Sequence, residues 1–345
     1  MALDNLLKKN KKIHYICKAL KHINDKQYVD FYLDMESDPR TLLFKKYGEE
    51  NRDKAIYLIP ENGNKWGFFA EFRALLCKLY YAERMGFVPY IYWGSNFLYY
   101  EPQKSETIPN AYEYYFGQPT KLRYEEIQDS YMVCQAKSAE AVMIEREHKE
   151  LDYYGINLAL EDILARTYHK YIRLNEETQR KLEGDYRKVL SSDDMLGVHF
   201  RGTDYQIGYN NHPVYVQIEE TISVVKDVLQ DHKYQKIFLA TDDKNALKAF
   251  LKEFGRENIQ YYDDVCRGDG TVSVALSERT REFHHYLLGY EVLRDMLTLS
   301  KCQGLVSGVS QVTNCARIAK KARGEQYLSL DIIYHGVNHN ERNFV

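Results

Sequence analysis

Residues Met195–Asp204 read MLGVHFRGTD, an apolar run that ends abruptly in an arginine, a glycine and two polar residues. A short apolar run of this kind suits a strand buried on both faces, and the polar residues behind it then occupy the turn into the next helix. The same form recurs three times downstream. Lys236–Ala240 is followed by Thr241-Asp242-Asp243, Ile259–Tyr262 by Asp263-Asp264, and Gly304–Ser307 by Gly308-Val309-Ser310-Gln311. Helical patterns separate these runs. Ile218, Ile222, Val225 and Leu229 share one face, Lys244–Phe254 and Phe283–Leu299 are helical, and a last helix runs from about Val312 to Lys321. Strands alternating with helices predict a parallel sheet.

The first half repeats the rhythm. Ala55–Ile59 is a short apolar run, followed by a loop with Gly63 and Gly67. A helical pattern through Phe72, Leu75, Leu76, Leu79 and Glu83 ends at Gly86, and Val88–Trp93 is extended. Residues 94–135 are less regular and rich in tyrosine; Tyr99, Tyr100, Tyr112, Tyr114 and Tyr115 suit either core packing, the favoured reading, or stacking on sugar rings. Helical patterns then run from about Ala139 to Leu190. The fold expected is α/β in two domains, 1–175 and 176–325, with 326–345 a tail packing back on them.

The chain of 345 residues carries 47 Lys+Arg against 50 Asp+Glu, a net charge of −3, with 44% hydrophobic and 28% charged residues. Disorder and fibrous repeats are excluded by this balance, and a general nucleic-acid binder would show a basic excess. No apolar run reaches the roughly 18 residues of a membrane span. Residues 1–26 hold seven lysines among Leu6, Leu7, Ile13, Ile16, Leu20 and Ile23. A docked amphipathic helix is the favoured reading of that segment, and peripheral membrane association the alternative. The six cysteines are scattered without CxxC pairs, which fits neither a zinc site nor a disulfide framework and suits a reducing, cytoplasmic setting. The basic segment and the tyrosine-rich stretch could each serve a homodimer.

In an open parallel sheet, ligands bind beyond the carboxyl ends of the strands. Here four consecutive turns present polar side chains to one crevice. The dinucleotide pattern GxGxxG and the phosphate-loop pattern GxxxxGK[ST] are absent, Gly268-Asp269-Gly270 is a turn, and Gly308-Val309-Ser310 lacks the glycine of a nucleophile elbow at Val312. What remains is Arg201 at a strand end, with Ser310 and Gln311 opening a helix. A guanidinium and a helix N-terminus together suit a diphosphate. Asp204, Asp242 and Asp295 would then serve a base, a ribose hydroxyl or Arg201 itself. Equally, Arg201–Asp204 could be a salt bridge stitching the turn, and Asp242 or Asp243 a helix cap. His284-His285 has the wrong spacing for a metal pair.

VHFRGTDY (Val198–Tyr205) resembles the VHxRxTD motif of the α1,6-fucosyltransferase group of nodulation and core N-glycan enzymes. Tyr171–Leu190 resembles that family's lead-in helix, and IFLATDD (Ile237–Asp243), Val292–Ala319 and YLSLDIIYHGVNHN (Tyr327–Asn340) follow in its order. The resemblance covers about 170 residues and is loose in the first half. It implies two Rossmann-like domains in a GT-B-type glycosyltransferase fold, with 1–175 on the acceptor side and 176–325 binding the GDP-sugar. It also implies inverting, metal-independent transfer of fucose from GDP-fucose, with no cofactor. By position, Arg201 would hold the β-phosphate. His199, Thr203, Asp204, Asp242, Asp243 and Asp295 would surround the donor, Ser310 and Gln311 cover the diphosphate, and Gly67 lie on the donor-binding loop.

The family carries a lysine after R-x-T-D and a glutamate a few residues on; here Tyr205 takes the first position and Gln206–His212 contains no carboxylate. The general base is therefore sought at His212 or Glu71. Without a membrane stem or SH3 segment in this sequence, the expectation is a bacterial-type enzyme. It would modify a surface polysaccharide or lipid-linked oligosaccharide in the cytoplasm, with a place at the inner membrane face as the alternative. Transfer of another GDP-sugar and a non-catalytic nucleotide- or glycan-binding relative remain the alternatives.

Overall fold

In a computed structural model, residues 20–21, 24, 42–63, 66–147, 158–192, 194–278 and 281–341 are described. The membrane-surface reading of residues 1–26 lies outside them, apart from Leu20, Lys21 and Asn24. Among the described residues no helix is long and apolar enough to cross a membrane.

Two parallel-rich sheets organise the chain. The first has the order β1-β4-β2-β3, with β1 Phe44–Lys45, β2 Ile56–Pro60, β3 Val88–Tyr92 and β4 Val133–Gln135. β2 runs parallel to both β3 and β4, and only the short β1 is antiparallel. Helix α1, Phe68–Met85, makes the β2–β3 crossover. It stops at Gly86, whose φ of 69° is left-handed and whose N–H closes on the Ala82 and Glu83 carbonyls, a conformation that glycine adopts without a Cβ penalty. Three helices follow β4: α2 Ser138–Glu147, α3 Leu158–Tyr171 and α4 Glu176–Val189.

The second sheet is parallel throughout, in the order β7-β6-β5-β8-β9. Its strands are β5 Met195–Phe200, β6 Lys236–Thr241, β7 Ile259–Gln260, β8 Gly304–Gly308 and β9 Ser329–Ile333. Every residue of central β5 is buried, as its unbroken apolar run requires. Between the strands lie α5 Ile218–Asp231, α6 Lys244–Phe254, α7 His284–Lys301 and α8 Gln311–Ala322. These bounds agree with the sequence reading to within about two residues, the usual ambiguity of element ends. Three strands were not foreseen, and the two-residue β1 is the shortest of them. β4 has three residues, too few to show a period. β9 carries Asp331 at the sheet edge and falls in the segment read as a tail.

One hydrophobic core runs through both units, joining Tyr57, Leu76 and Leu164 to Leu293, Leu305 and Cys315. α8 packs on both α3 and α7, and the Arg317–Glu161 ion pair at 2.8 Å ties α8 to α3 with both side chains nearly out of solvent. The tyrosine-rich stretch serves this core. Tyr112, Tyr114 and Tyr115 are fully buried, and the Tyr115 hydroxyl donates to the Tyr286 carbonyl at 2.9 Å. Sugar stacking is thereby excluded for these three rings. Tyr99, also buried, borders the cleft described next.

Candidate active site

The parallel register of β5, β6 and β8 sets their carboxyl ends side by side: His199 faces Ala240 and Ser307, and Phe200 faces Thr241. The residues that follow are brought into one cleft. Arg201 Nη1 donates to Asp242 Oδ2 at 2.7 Å and Nη2 to Asp204 Oδ1 at 2.6 Å. Thr203 Oγ1 donates within reach of the same two carboxylates, at 2.8 and 3.0 Å, and the Gly202 N–H donates to Asp242 Oδ1 at 2.9 Å. Burial opposes the guanidinium's charge, but Asp242 and Asp204 outweigh it and hold its pKa above the usual value. Arg201 is thus a fixed, permanently charged group.

The turn that does this is strained. Thr203 has a φ of 36°, in the left-handed region that costs a non-glycine residue roughly 1–3 kcal/mol. Its single hydroxyl proton lies between the two aspartates and donates to one or the other. Gly202 is required by crowding: a Cβ there would stand 2.4 Å from Asp243 Cβ.

Arg201 lines two adjoining chambers. The inner one, about 80 Å³, is lined by His199, Asp242, Cys266, Glu291 and Asp295 among others. The outer one, about 460 Å³, is bounded by Gly67, Tyr205, His212, Leu276, Ser310 and Gln311. Arg201, Tyr99 and Val312 belong to both.

His199 is buried in the inner wall, with Nδ1 within 3.2–3.4 Å of the Ser307, Ser310 and Thr313 hydroxyls. Desolvation lowers its pKa to about 4, against an opposing pull from Asp242, so the ring is neutral at pH 7. Asp295 is pushed up to about 7 by burial, with Arg294 and Arg267 working the other way. Ser310 caps α8, its Oγ accepting from the Thr313 N–H at 3.2 Å. That helix therefore begins at the cleft wall, with the positive end of its dipole toward the chamber.

Other residues singled out from the sequence lie elsewhere. Asp243 is the cap of α6, accepting from the Asn245 and Ala246 N–H groups at 2.6 and 3.3 Å. Thr203 is fully buried beneath the turn and does not line either chamber. Glu71 is buried in α1, accepting from the Asn62 backbone and side-chain N–H groups at 2.9 and 2.6 Å. Burial raises its pKa to about 7, opposed by Lys78 and the Asn62 bonds. It braces the start of the loop that leads to Gly67 and does not reach the cleft. His212 does line the outer chamber, flanked by the rings of Tyr205 and Tyr209. Desolvation lowers its pKa, with Asp204 raising it and Arg201 lowering it.

Glu291, Val265 and Cys266 were not assigned from the sequence. Glu291 lies one turn before Asp295 on α7; its Oε2 accepts from the Cys266 N–H at 3.0 Å and its Oε1 pairs with Arg281 at 2.7 Å. The i, i+4 spacing of Glu291 and Asp295 was the available signal. Among the described residues no group of three or more His, Cys, Asp or Glu is placed to hold a metal ion.

No protein-family model and no curated protein matches the sequence. Among solved structures the chain is similar to NodZ α-1,6-fucosyltransferase soaked with GDP-fucose, at 16% identity over 77% of this chain and 92% of that one, with a TM-score of 0.47. Fucosyltransferase NodZ from Bradyrhizobium gives 17% identity over 76% and 92%, with a TM-score of 0.42. POFUT1 in complex with GDP-fucose gives 8% over 87% and 99%, with a TM-score of 0.44. At these scores the chemistry has to be read from the site itself.

Proposed function

We propose that the chain is an inverting, metal-independent glycosyltransferase of GT-B type that moves fucose from GDP-fucose to a hydroxyl of a glycan acceptor. The observation that carries this reading is the Arg201 guanidinium, held by Asp204 and Asp242 at the boundary of two chambers, beside the N-terminus of α8. A group-transfer enzyme needs one compartment for the donor, another for the acceptor, and fixed positive charge where the leaving group departs. The order of the fucosyltransferase-like motifs supports fucose as the sugar.

The two aspartates take up two of the guanidinium's N–H groups and leave the others for a ligand. Because two carboxylates outnumber one guanidinium, the diphosphate's charge is met jointly by those donors and the α8 N-terminus. One end of the nucleotide enters the inner chamber, where His199 and Asp295 meet it, and the rest of the donor lies along Arg201 toward the outer chamber. As the bond from C1 to the diphosphate oxygen breaks, negative charge builds on the departing diphosphate, and preoriented donors act there at no cost of reorganisation. His212, neutral in its half-buried site, takes the proton of the acceptor hydroxyl as that oxygen attacks C1 from the opposite face. Thr203 and Asp243 act from beneath by holding the turn and the following helix. Glu71 acts at a distance, through the loop ahead of Gly67.

The test is a thermal-shift panel with GDP, UDP, ADP, GDP-fucose and GDP-mannose, with and without EDTA, followed by transfer of labelled fucose to glycan acceptors. A ligand bound by the folded state raises Tm by mass action. Stabilisation by GDP and GDP-fucose that is indifferent to EDTA is expected. Equal response to GDP-mannose would move the reading to another GDP-sugar, and stabilisation by UDP alone or by nothing would overturn it.

A further inference from the structure

His212 sits in a loop, Gly208–Val214, that is bonded to the far end of the chain as well as to the turn before it, where the Gly208 N–H donates to the Tyr205 carbonyl at 3.1 Å. β9 runs parallel to β8, so it too ends on the cleft side of the sheet. The segment leaving it crosses to the loop and binds it along its length. The Asn338 N–H donates to the His212 carbonyl at 2.8 Å, and the Asn338 carbonyl accepts from the Asn211 N–H at 2.9 Å. Asn338 Nδ2 donates to the His212 and Pro213 carbonyls at 3.1 and 3.2 Å. The Val214 N–H donates to the Gly336 carbonyl at 3.0 Å, and Pro213 and Val337 form an antiparallel bridge. Asn340 Nδ2 donates to the Gly208 carbonyl at 2.8 Å.

These bonds fix a loop with two left-handed residues, Gly208 at φ 67° and Asn211 at φ 62°. Gly208 takes this conformation without a Cβ penalty, and Asn211 is one of the few residue types with a side chain that tolerates it. The His212 backbone is gripped on both sides of its peptide, by main chain and side chain of one residue. Its ring is thereby directed toward the chamber, where Asp204 and Arg201 face it and Tyr205 and Tyr209 flank it.

We propose that Asn338 is a positioning residue for the reaction, acting through its clamp on the His212 backbone to hold the imidazole at the acceptor side of the cleft. The inference rests on the reading of His212 as the general base. Asn338 itself does not line either chamber, so its effect is on the base and not on the donor.

The experiment compares Asn338→Ala, His212→Ala and the double variant in the full chain. It measures GDP affinity, kcat and KM for transfer, and the His212 imidazole titration by NMR. Asn338→Ala keeps the main-chain clip and loses the side-chain bonds, so GDP affinity and donor KM stay within twofold while kcat falls roughly ten- to hundredfold, the scale of a misplaced catalytic group. In the His212→Ala background the same substitution costs nothing further, and in the single variant the imidazole midpoint rises toward its ordinary value. Multiplying losses in the double variant, an unmoved imidazole, or a joint fall of kcat and GDP affinity would overturn the proposal. If His212→Ala leaves kcat intact, the base reading falls and this proposal with it, while selective GDP-fucose binding would still stand. Should Asn338→Ala not fold, Asn340→Ala, which loses the Nδ2 bond to the Gly208 carbonyl, carries the same comparison.

Discussion

Replacing Arg201 with alanine strands two carboxylates that now share one cation. Asp204 and Asp242 keep only 8% and 14% of their side-chain surface in solvent, and Arg201 holds them at 2.6 and 2.7 Å. Breaking a buried pair by removing one partner costs about 3–5 kcal/mol. The open cleft lets water reach both groups, so the lower end applies, and about 3 kcal/mol lowers Tm by roughly 4 °C in a chain of 345 residues. Removing a donor from the place where transition-state charge develops costs about 10²–10³ in kcat. The two losses separate in the double variant Arg201→Ala/Asp242→Asn, which deletes one of the stranded charges. Differential scanning calorimetry should then show a substantial part of the lost Tm returning, with fucose transfer still down by the full factor. Arg201→Lys keeps a charge but cannot span both aspartates as a fork, so it should fold better than alanine and transfer little more. Transfer by Arg201→Ala within tenfold of the unaltered protein, or recovery of transfer along with Tm in the double variant, would refute the role assigned to the guanidinium.

Two pH dependences follow from the buried groups. Protonated His212 cannot accept a proton, and desolvation lowers its pKa, so the acid limb of kcat/KM should fall below the ordinary imidazole value and vanish in His212→Gln; a limb at or above that value would count against His212 as base. Glu71 has its pKa raised by burial to about 7, so its contribution to stability is full below its unfolded value and is lost as pH rises through about 7. Tm should therefore decline between pH 5 and 8, and Glu71→Gln should flatten part of that decline. Glu140 and Asp295, raised by burial in the same way, add to that decline. An unchanged slope in Glu71→Gln would show that the carboxyl stays ionised in its Asn62 cradle.

Much of the fold was legible because its signals are local. The apolar runs at Met195–Phe200 and Lys236–Thr241 and the periodicity of Ile218–Asp231 are each complete within about a dozen residues. Edges were harder. β4 is shorter than any period, and β9, at a sheet margin, buries only Ser329 and Ile332 of its five residues and so shows no clean alternation. At the site, Arg201, Asp204, Asp242 and Ser310 could be picked out because strand ends in a parallel sheet converge on one side. The neighbouring Asp242 and Asp243 could not be told apart. Both follow a strand and precede a helix, yet one orients Arg201 and the other caps α6.

What the amino-acid sequence determined by itself is the order of strands and helices and the set of polar residues at the ends of the second sheet, since both depend on neighbours close along the chain. What only the tertiary structure decided is the pairing of residues distant in sequence. Arg201 meets Asp242 across 41 positions, and Asn338 grips His212 across 126. Glu71, read as a candidate base, turns inward to Asn62 because the packing of α1 leaves it no route to the cleft. Such contacts depend on how the sheet and its crossovers bring backbones together, and hydrophobic periodicity specifies which face of an element is buried without specifying which residue lies against it.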